Sequence, residues 1–234
     1  MAILCIESSG NICSAALSLN NDEKVLSSIV STTGEHASLL TSAINNVMSE
    51  AGVAYSALDA VAVSAGPGSY TGLRIGASTA KGICYANDVP LISIPTLETI
   101  AQEIFTKSNA EYALPMIDAR RMEVYCAIID RNFNYISETE AKILDESSFA
   151  DTLSSHQVAL GGSGAPKSKA VISSPNASFI DDAEAKAQFM TPLAIKKFNN
   201  KDFADVAYFE PFYLKEYIAV VSKNKVLEEA RKNS

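Results

Sequence analysis

A nearly continuous apolar run from Leu58 to Ala65 leads directly into a glycine-rich loop, Gly66 to Thr71, and then into a helical pattern. The run carries Val61 and Val63 and is typical of a strand that is buried on both faces of a sheet. Such a strand requires helices on both faces of its sheet. The segment therefore predicts an α/β architecture in this part of the chain.

The segments around this run complete a predicted first lobe, residues 1–104. Hydrophobic periodicity and turn residues predict a three-stranded β-meander, followed by helix, strand, helix, strand and helix. This order predicts a mixed sheet covered by helices. The expected strands are Ala2 to Glu7, Ile12 to Leu19, Lys24 to Val30, Leu58 to Ala65 and Leu91 to Ile94, and the expected helices run from about Glu35 to Ala51, Gly72 to Ala86 and Thr96 to Phe105.

Residues 105–234 predict a second lobe with weaker signals. A second β-meander in this half suggests a duplicated lobe, which stays a hypothesis because no tandem repeat is visible. The polar stretch from Lys215 to Ser234 has weak helical spacing, and the sequence leaves open where it packs. The expected strands are Tyr112 to Ile117, Val124 to Asp130, roughly Tyr135 to Ile143 and Gln157 to Leu160, and a helix from Ala183 to Phe198 is expected to be interrupted by Pro192.

Charge and composition restrict the function classes. The net charge of -8 repels phosphate backbones, so the basic footprint of a nucleic-acid binder is missing. The chain contains no run of ~18 uncharged apolar residues and its start lacks the basic region of a signal peptide, so we expect a cytoplasmic protein without a membrane partner. The four cysteines lie far apart in apolar runs, which predicts buried, reduced thiols.

The glycine-rich loop is the most distinctive motif. It lacks the Gly-Lys-Ser/Thr ending of a P-loop, and Thr71 occupies the third glycine position of a dinucleotide fingerprint. Two interpretations remain: a tight strand-to-helix turn in which glycines permit close packing, or a loop whose N–H groups receive an anion or a partner's carbonyls. The motif residues are Gly66, Pro67, Gly68, Ser69, Tyr70, Thr71 and Gly72.

Two further turns suggest a residual nucleotide or anion site. One follows the first strand at Glu7, Ser8 and Ser9, and the other is the turn at Gly161 and Gly162. Ordinary turn chemistry is the favoured explanation of the first turn and explains the second equally well.

Metal and hydrolase chemistry are disfavoured. His36 has Leu40, not a second histidine, one helical turn along, so no two-histidine metal site forms on this helix. No histidine follows Ser163, so the hydrolase order of a catalytic triad cannot be built. The charged stretch from Asp118 to Tyr125 predicts either a solvated hairpin or an Asp–Arg pair that shapes an interface or cleft.

Several motifs together resemble the TsaB family, also called YeaZ. They are Ile6-Glu7-Ser8-Ser9, Gly34-Glu35-His36-Ala37-Ser38-Leu39-Leu40, the loop from Gly66 to Gly76, Ser78-Thr79-Ala80-Lys81-Gly82, Pro95-Thr96-Leu97-Glu98, Asp118-Ala119-Arg120 with Glu123-Val124-Tyr125, and Pro211 to Leu214. The similarity spans almost the whole chain. Glu7 replaces the commoner aspartate of the family and Tyr70 the commoner phenylalanine, which weakens any expectation of ATP hydrolysis by this chain.

The resemblance implies a two-lobed actin, sugar-kinase and Hsp70-like (ASKHA, ribonuclease H-like) fold. It also implies a non-catalytic scaffold in the bacterial complex that forms threonylcarbamoyladenosine beside the anticodon of ANN-decoding tRNAs. The catalytic subunit TsaD would be its heterodimer partner, with TsaE as a further subunit and a homodimer in the absence of TsaD. This chain would hold no cofactor or metal, ATP and metal would lie on the partner subunits, and tRNA would bind only within the complex.

In the family the first two helices of the N-terminal lobe pack against a partner, which places the interface on residues of both helices. Two other functions remain open: an active ASKHA-type ATPase or small-molecule kinase that uses Glu7, and a peptidase. The expected contact residues are His36, Leu39, Leu40, Ala43, Val47, Arg74, Ile75, Ser78 and Thr79.

Overall fold

The computed structural model describes residues 1–20, 24–31 and 36–215. Its elements, in chain order, are β1 (Ala2–Glu7), β2 (Ile12–Leu19), β3 (Lys24–Ser31), α1 (His36–Ala51), a 3-10 turn (Tyr55–Ala57), β4 (Ala60–Ser64), α2 (Tyr70–Asn87), β5 (Leu91–Ile94), α3 (Thr96–Lys107), β6 (Tyr112–Asp118), β7 (Glu123–Cys126), β8 (Ile129–Asp130), β9 (Glu140–Ile143), α4 (Ala150–Ser155), β10 (Val158–Gly161), α5 (Ala165–Ser168), β11 (Ala177–Ile180) and α6 (Ala187–Asn199).

The first sheet has the strand order β3-β2-β1-β4-β5. β1 pairs antiparallel with β2 and parallel with β4, which places the meander on one side and the two parallel strands on the other. Alternate residues of the central strand β1 face opposite sides of the sheet. Leu4 and Ile6 pack toward α1 and α2, whereas Ile3 and Cys5 pack toward α6. The sheet is therefore buried on both faces, as the apolar run from Leu58 to Ala65 predicts.

The second sheet repeats this arrangement with the order β11-β10-β6-β7-β9, and β8 also pairs with β6. Its central strand β6 pairs antiparallel with β7 and parallel with β10, as β1 does with β2 and β4. The fold prediction is confirmed: two mixed sheets, flanked by helices, share one topology.

Two helices join the sheets. Helix α3 packs against the second sheet, and helix α6, which follows that sheet in the chain, returns to cover the first. The buried carboxylate of Glu103 on α3 accepts hydrogen bonds from the ammonium groups of Lys107 and Lys186, each at 2.7 Å, and from the Glu184 N–H at 2.8 Å. A buried carboxylate needs such partners, so this cluster fixes α3 to the chain before α6. The predicted lobe boundary at residues 104–105 lies inside α3.

The chain after α6 also lies on the first sheet. Ala204 bridges Leu91 of β5, and the Phe212 N–H donates to the Ala65 carbonyl at 2.7 Å. We call residues 204–213 the strap. Of the polar stretch from Lys215 to Ser234, only Lys215 lies within the described residues.

The structure differs from the sequence expectation at several places in the second half. Helix α6 runs through Pro192 without interruption. Pro192 has no N–H to donate to the Gln188 carbonyl. The Thr191 hydroxyl donates to this carbonyl instead, at 2.9 Å. The expected strand from Tyr135 is shortened to Glu140–Ile143, and the expected strand from Val124 to Asp130 is divided into β7 and β8. Among the described residues, no helix is long and apolar enough to cross a membrane.

Candidate functional site

The glycine-rich loop joins three parts of the first lobe. The Ser69 N–H donates to the Ser9 carbonyl at 2.6 Å, which connects the loop to the turn after β1. The Thr96 N–H donates to the Gly66 carbonyl at 2.9 Å and connects the loop to the start of α3. The Ser69 hydroxyl accepts from the Gly72 N–H at 3.2 Å and caps α2. The backbone N–H groups of Ser69 and Gly72 are thus already bonded within the protein.

The glycines of the motif permit close contact with the Ser8-Ser9 turn. A Cβ atom on Gly72 would overlap the Ser8 carbonyl oxygen, and one on Gly68 would lie 2.5 Å from the Ser9 carbonyl oxygen. The Ser8 hydroxyl donates to the Gly72 carbonyl at 2.8 Å, which closes the contact from the other side. Of the two interpretations of the motif, these contacts favour close packing over reception of an anion.

Glu7 lies under this loop and has no access to solvent. Its Oε1 accepts from the Ser9 N–H at 2.6 Å, and its Oε2 has no hydrogen-bond partner among the described residues. Burial raises the pKa of Glu7, and the hydrogen bonds around it oppose that rise only in part. Burial, and then the charge of Glu7, raises the pKa of Cys13 to about 11. Glu7 is therefore a buried acid that a nucleotide cannot contact in this conformation.

The two turns of the expected nucleotide site do face one another. Ser9 and Asn11 from the first half and Ser163 and Glu184 from the second line a common cleft. Its cavity volume is about 20 Å³, which is enough for a single water molecule.

Gly161 and Gly162 pack inside the protein. A Cβ on Gly161 would lie 2.8 Å from Ile104, and Gly162, at a φ of 101°, lies against the Met116 carbonyl. All five residues of the expected nucleotide or anion site, Glu7, Ser8, Ser9, Gly161 and Gly162, are buried in this structure.

Within the parts of the chain that the structure describes, no three His, Cys, Asp or Glu side chains group as metal ligands would. The four cysteines are buried and in the reduced form, as the sequence predicts.

The interface residues expected on α1 require a correction. Leu40, Ala43 and Val47 are fully buried against the first sheet, so a partner cannot contact them while α1 stays packed. Burial of a leucine side chain stabilises a fold by roughly 1.5–3 kcal/mol, which explains why the apolar stripe faces the core. The exposed positions of α1 are instead Thr41, Ser42, Asn45, Asn46, Ser49 and Glu50, with Leu39 half-buried at the helix start. The side chain of His36 lies outside the described residues.

The expected residues on α2 divide in the same way. Arg74 and Ser78 are exposed, Thr79 is half-buried, and Ile75 packs against the core. The guanidinium of Arg74 lies 4.2 Å from the ring centre of Tyr70, and its Nε donates to the Tyr213 hydroxyl at 3.4 Å.

The sequence analysis missed Gly82, Tyr85 and Ala86 on this helix face. Gly82 and Ala86 continue the four-residue steps that begin at the expected contact residue Ser78, and a Cβ added to Gly82 would meet no atom of the described residues within 4 Å. Tyr85 beside them is 87% exposed. The sequence signal for this face was Gly82 itself. Glycine destabilises a helix interior, so a glycine inside a helical pattern suggests a packing or functional reason.

The strap extends this face. Lys81 on α2 donates to the carbonyls of Ala207 at 2.9 Å and Phe209 at 3.2 Å, and Tyr208 between them is 84% exposed. We call the exposed residues Ser78, Gly82, Tyr85, Ala86 and Tyr208 the α2 face. It combines exposed aromatic rings, which are enriched at protein interfaces, with small residues that allow a partner helix to approach closely.

Comparison with known proteins places the chain among tRNA-modification proteins. The family model of TsaD, tRNA N6-adenosine threonylcarbamoyltransferase, matches residues 25–232. The tRNA threonylcarbamoyladenosine biosynthesis protein TsaB of Escherichia coli is 31% identical over 227 residues, which cover 94% of this chain and 96% of that protein. A tRNA N6-adenosine threonylcarbamoyltransferase of Geobacillus kaustophilus is 34% identical over 132 residues, 49% of this chain and 37% of that protein.

A solved structure shows the same fold. YeaZ from Pseudomonas aeruginosa superposes with a TM-score of 0.81 at 25% sequence identity, over 91% of this chain and 99% of that chain. The match includes nearly the entire length of both proteins.

Proposed function

This chain belongs to the TsaB family, and from that premise we propose that it is a non-catalytic subunit in the synthesis of threonylcarbamoyladenosine on tRNA, where it binds and supports TsaD. The full-length similarity to TsaB of Escherichia coli supports the pathway, and the match to the TsaD family model supports a fold shared with the proposed partner. The modified position would lie beside the anticodon of ANN-decoding tRNAs.

The observation that carries the proposal is the combination of Gly82 and Tyr85 on the exposed side of α2. Glycine is less stable than alanine in a helix interior by about 0.8–1 kcal/mol, and none of the described residues contacts the space beside Gly82. Small residues at four-residue steps allow a second helix to approach closely, since interaxial distance depends on the side chains at the contact. Tyr85 lies beside the open space at Gly82, and its exposed ring can provide a large contact surface to a partner. A helix of another protein chain fits this face.

The burial of the acid and of the thiols supports a non-catalytic role. Glu7, the acid in the position for nucleotide chemistry, is sealed under the motif loop, and the cleft beside it holds about 20 Å³. The thiols are also unsuited to nucleophilic attack, because burial raises the pKa of Cys84 to about 11 and that of Cys126 to about 12. ATP and metal would accordingly bind on TsaD and TsaE.

The same face would serve a homodimer when TsaD is absent, so the two assemblies would compete for it. TsaE would join the heterodimer, and tRNA would bind the assembled complex.

The test is a binding titration between this chain and TsaD of the same organism, by calorimetry and size-exclusion chromatography. The native chain is expected to form a one-to-one complex. Tyr85→Ala and Gly82→Leu are each expected to weaken it at least tenfold. Ile143→Ala is the matched control, because it removes an apolar side chain that is 70% exposed on the second sheet. Unchanged TsaD affinity in both α2 variants, or no complex with the native chain, would overturn the proposal.

A parallel assay addresses the alternative enzyme. ATP turnover by the chain alone that is lost in Glu7→Gln would show an ASKHA-type ATPase or kinase, and hydrolysis of peptides would show a peptidase.

A further inference from the structure

The turn between β6 and β7 carries two arginines in an uncommon backbone conformation. Arg120 and Arg121 have φ values of 71° and 50°, a region that non-glycine residues seldom adopt. The turn is closed by the Ala119 N–H, which donates to the Glu123 carbonyl at 3.0 Å, and by the Glu123 N–H, which donates to the Arg120 carbonyl at 3.1 Å. Both arginines are exposed. Two arginines thus occupy a tight, exposed turn whose backbone conformation is uncommon for any residue other than glycine.

The carboxylates beside this turn are already paired. Asp118 Oδ1 accepts from Lys167 Nζ at 2.5 Å and from the Arg120 N–H at 2.7 Å. Both carboxylate oxygens of Glu123 accept from Lys215 Nζ at 2.6 Å. The guanidiniums of Arg120 and Arg121 have no ion-pair partner among residues 1–20, 24–31 and 36–215. Their charges are available to an outside anion.

The positive surface continues to the glycine-rich loop. Lys215 lies two residues after Tyr213, a distance of at most ~7 Å. The ring of Tyr213 lies 4.9 Å from that of Tyr70, and Arg74 lies over Tyr70. Both tyrosines are half-buried and Arg74 is exposed. We call Tyr70, Arg74, Arg120, Arg121, Tyr213 and Lys215 the basic-aromatic stripe.

The charge of the stripe contrasts with that of the chain. On the described part of this surface Lys167 and Lys215 pair with Asp118 and Glu123, whereas the guanidiniums of three further cations form no ion pair with a described carboxylate, although the whole protein carries -8. These three cations are Arg74, Arg120 and Arg121. A local surplus of positive charge on an acidic protein marks a site for an anionic partner.

From this arrangement we propose that the basic-aromatic stripe binds a single-stranded segment of RNA, with the Arg120-Arg121 turn on phosphates and the Tyr70–Arg74–Tyr213 stack against a base. Adjacent guanidiniums match phosphate geometry. Aromatic rings with a stacked arginine give bases a surface that an acidic peptide would not need. Within the proposed function, on which the identity of the RNA rests, this stripe is the part of the subunit that contacts tRNA. Because the rest of the chain repels phosphates, the isolated chain binds weakly.

The phosphate contacts are tested with a double variant that removes charge without straining the turn. Arg120→Asn with Arg121→Gly places at these positions the residues that most readily adopt positive φ, so the fold is expected to be at least as stable. Fluorescence anisotropy with a labelled single-stranded RNA of mixed sequence, and with total tRNA, measures affinity across a range of salt concentrations. Loss of two phosphate contacts lowers the slope of log K against log salt by about 1.4.

The stacking contact has a different signature. Tyr70→Ala is expected to weaken RNA binding about tenfold with an unchanged salt slope, because stacking releases no counterion. The charge-matched control is Lys196→Ala with Lys201→Ala, at and beyond the end of α6, which covers the opposite face of the first sheet. It is expected to leave RNA affinity near that of the native chain.

The outcomes separate this inference from the proposed function. RNA affinity that is equal in the native chain, the arginine variant and the control would overturn the stripe as an RNA site. Weaker binding of TsaD or TsaE by the arginine variant, with RNA binding unchanged, would assign the stripe to an acidic protein instead. A native chain that binds RNA through the stripe but ignores TsaD would contradict the proposed function alone.

Discussion

Gly82→Ala is expected to stabilise the isolated chain and weaken its complex with TsaD. The added methyl group meets no atom of the described residues within 4 Å, so the effect expected on the free protein is the better helix propensity of alanine. That difference is about 0.8–1 kcal/mol for a helix interior. For a chain of this size, 1 kcal/mol corresponds to a rise in Tm of roughly 2–4 °C.

The same methyl group lies where the proposed partner helix would approach. Overpacking of a well-fitted contact destabilises it by about 1–3 kcal/mol, which corresponds to a loss of TsaD affinity of roughly 5- to 150-fold. Thermal unfolding followed by circular dichroism measures the first effect, and calorimetric titration with TsaD measures the second.

Gly72→Ala on the same helix is the matched comparison. Its Cβ would overlap the Ser8 carbonyl oxygen, so the variant is expected to lose about 2–4 kcal/mol of stability. The same substitution is thus expected to stabilise the chain at Gly82 and to destabilise it at Gly72. A Gly82→Ala variant that melts below the native chain, or binds TsaD with native affinity, would refute the reasoning that its glycine is retained for a partner.

Two further predictions concern Glu7 and the strap. Because burial raises the folded-state pKa of Glu7, its contribution to stability is complete below the usual value of 4.5 and is lost as pH rises through the folded pKa. Above pH 4.5 the Tm of the Glu7→Gln variant should therefore decrease less with rising pH than the Tm of the native chain. Parallel plots of Tm against pH for the two proteins would contradict this. Lys81→Met removes the hydrogen bonds to Ala207 and Phe209, so we expect about 1 kcal/mol of lost stability and faster proteolysis within residues 204–213. Equal cleavage rates in the native and variant chains would show that Lys81 does not hold the strap.

The sequence predicted the elements of the first lobe well because their hydrophobic patterns are strong. It placed α1 and α2 within two residues of their observed bounds. It then assigned Leu40, Ala43 and Val47 to a partner, although the structure buries them in the core. Periodicity identifies the apolar side of a helix, and that side packs on the sheet. A non-obligate interface is no more apolar than the remaining surface, so its polar residues carry no periodic signal.

The second lobe was harder to predict because its elements are short. Helices α4 and α5 and strand β11 contain six, four and four residues, too few to establish a period. The path of α6 back to the first sheet depends on contacts such as the Ala187 N–H donating to the Ser14 hydroxyl at 2.9 Å. Residues so far apart in the chain leave no local pattern.

The glycine motif packs several segments of the first lobe together. Close contact of Gly68 and Gly72 with the Ser8-Ser9 turn closes the space above Glu7. The same loop begins α2, and its neighbour Ala65 accepts the hydrogen bond from Phe212 of the strap. The residues that seal the cleft therefore also set the position of α2 relative to the strap. Since the α2 face consists of these two segments, the motif would be required for partner binding even where no nucleotide enters the cleft.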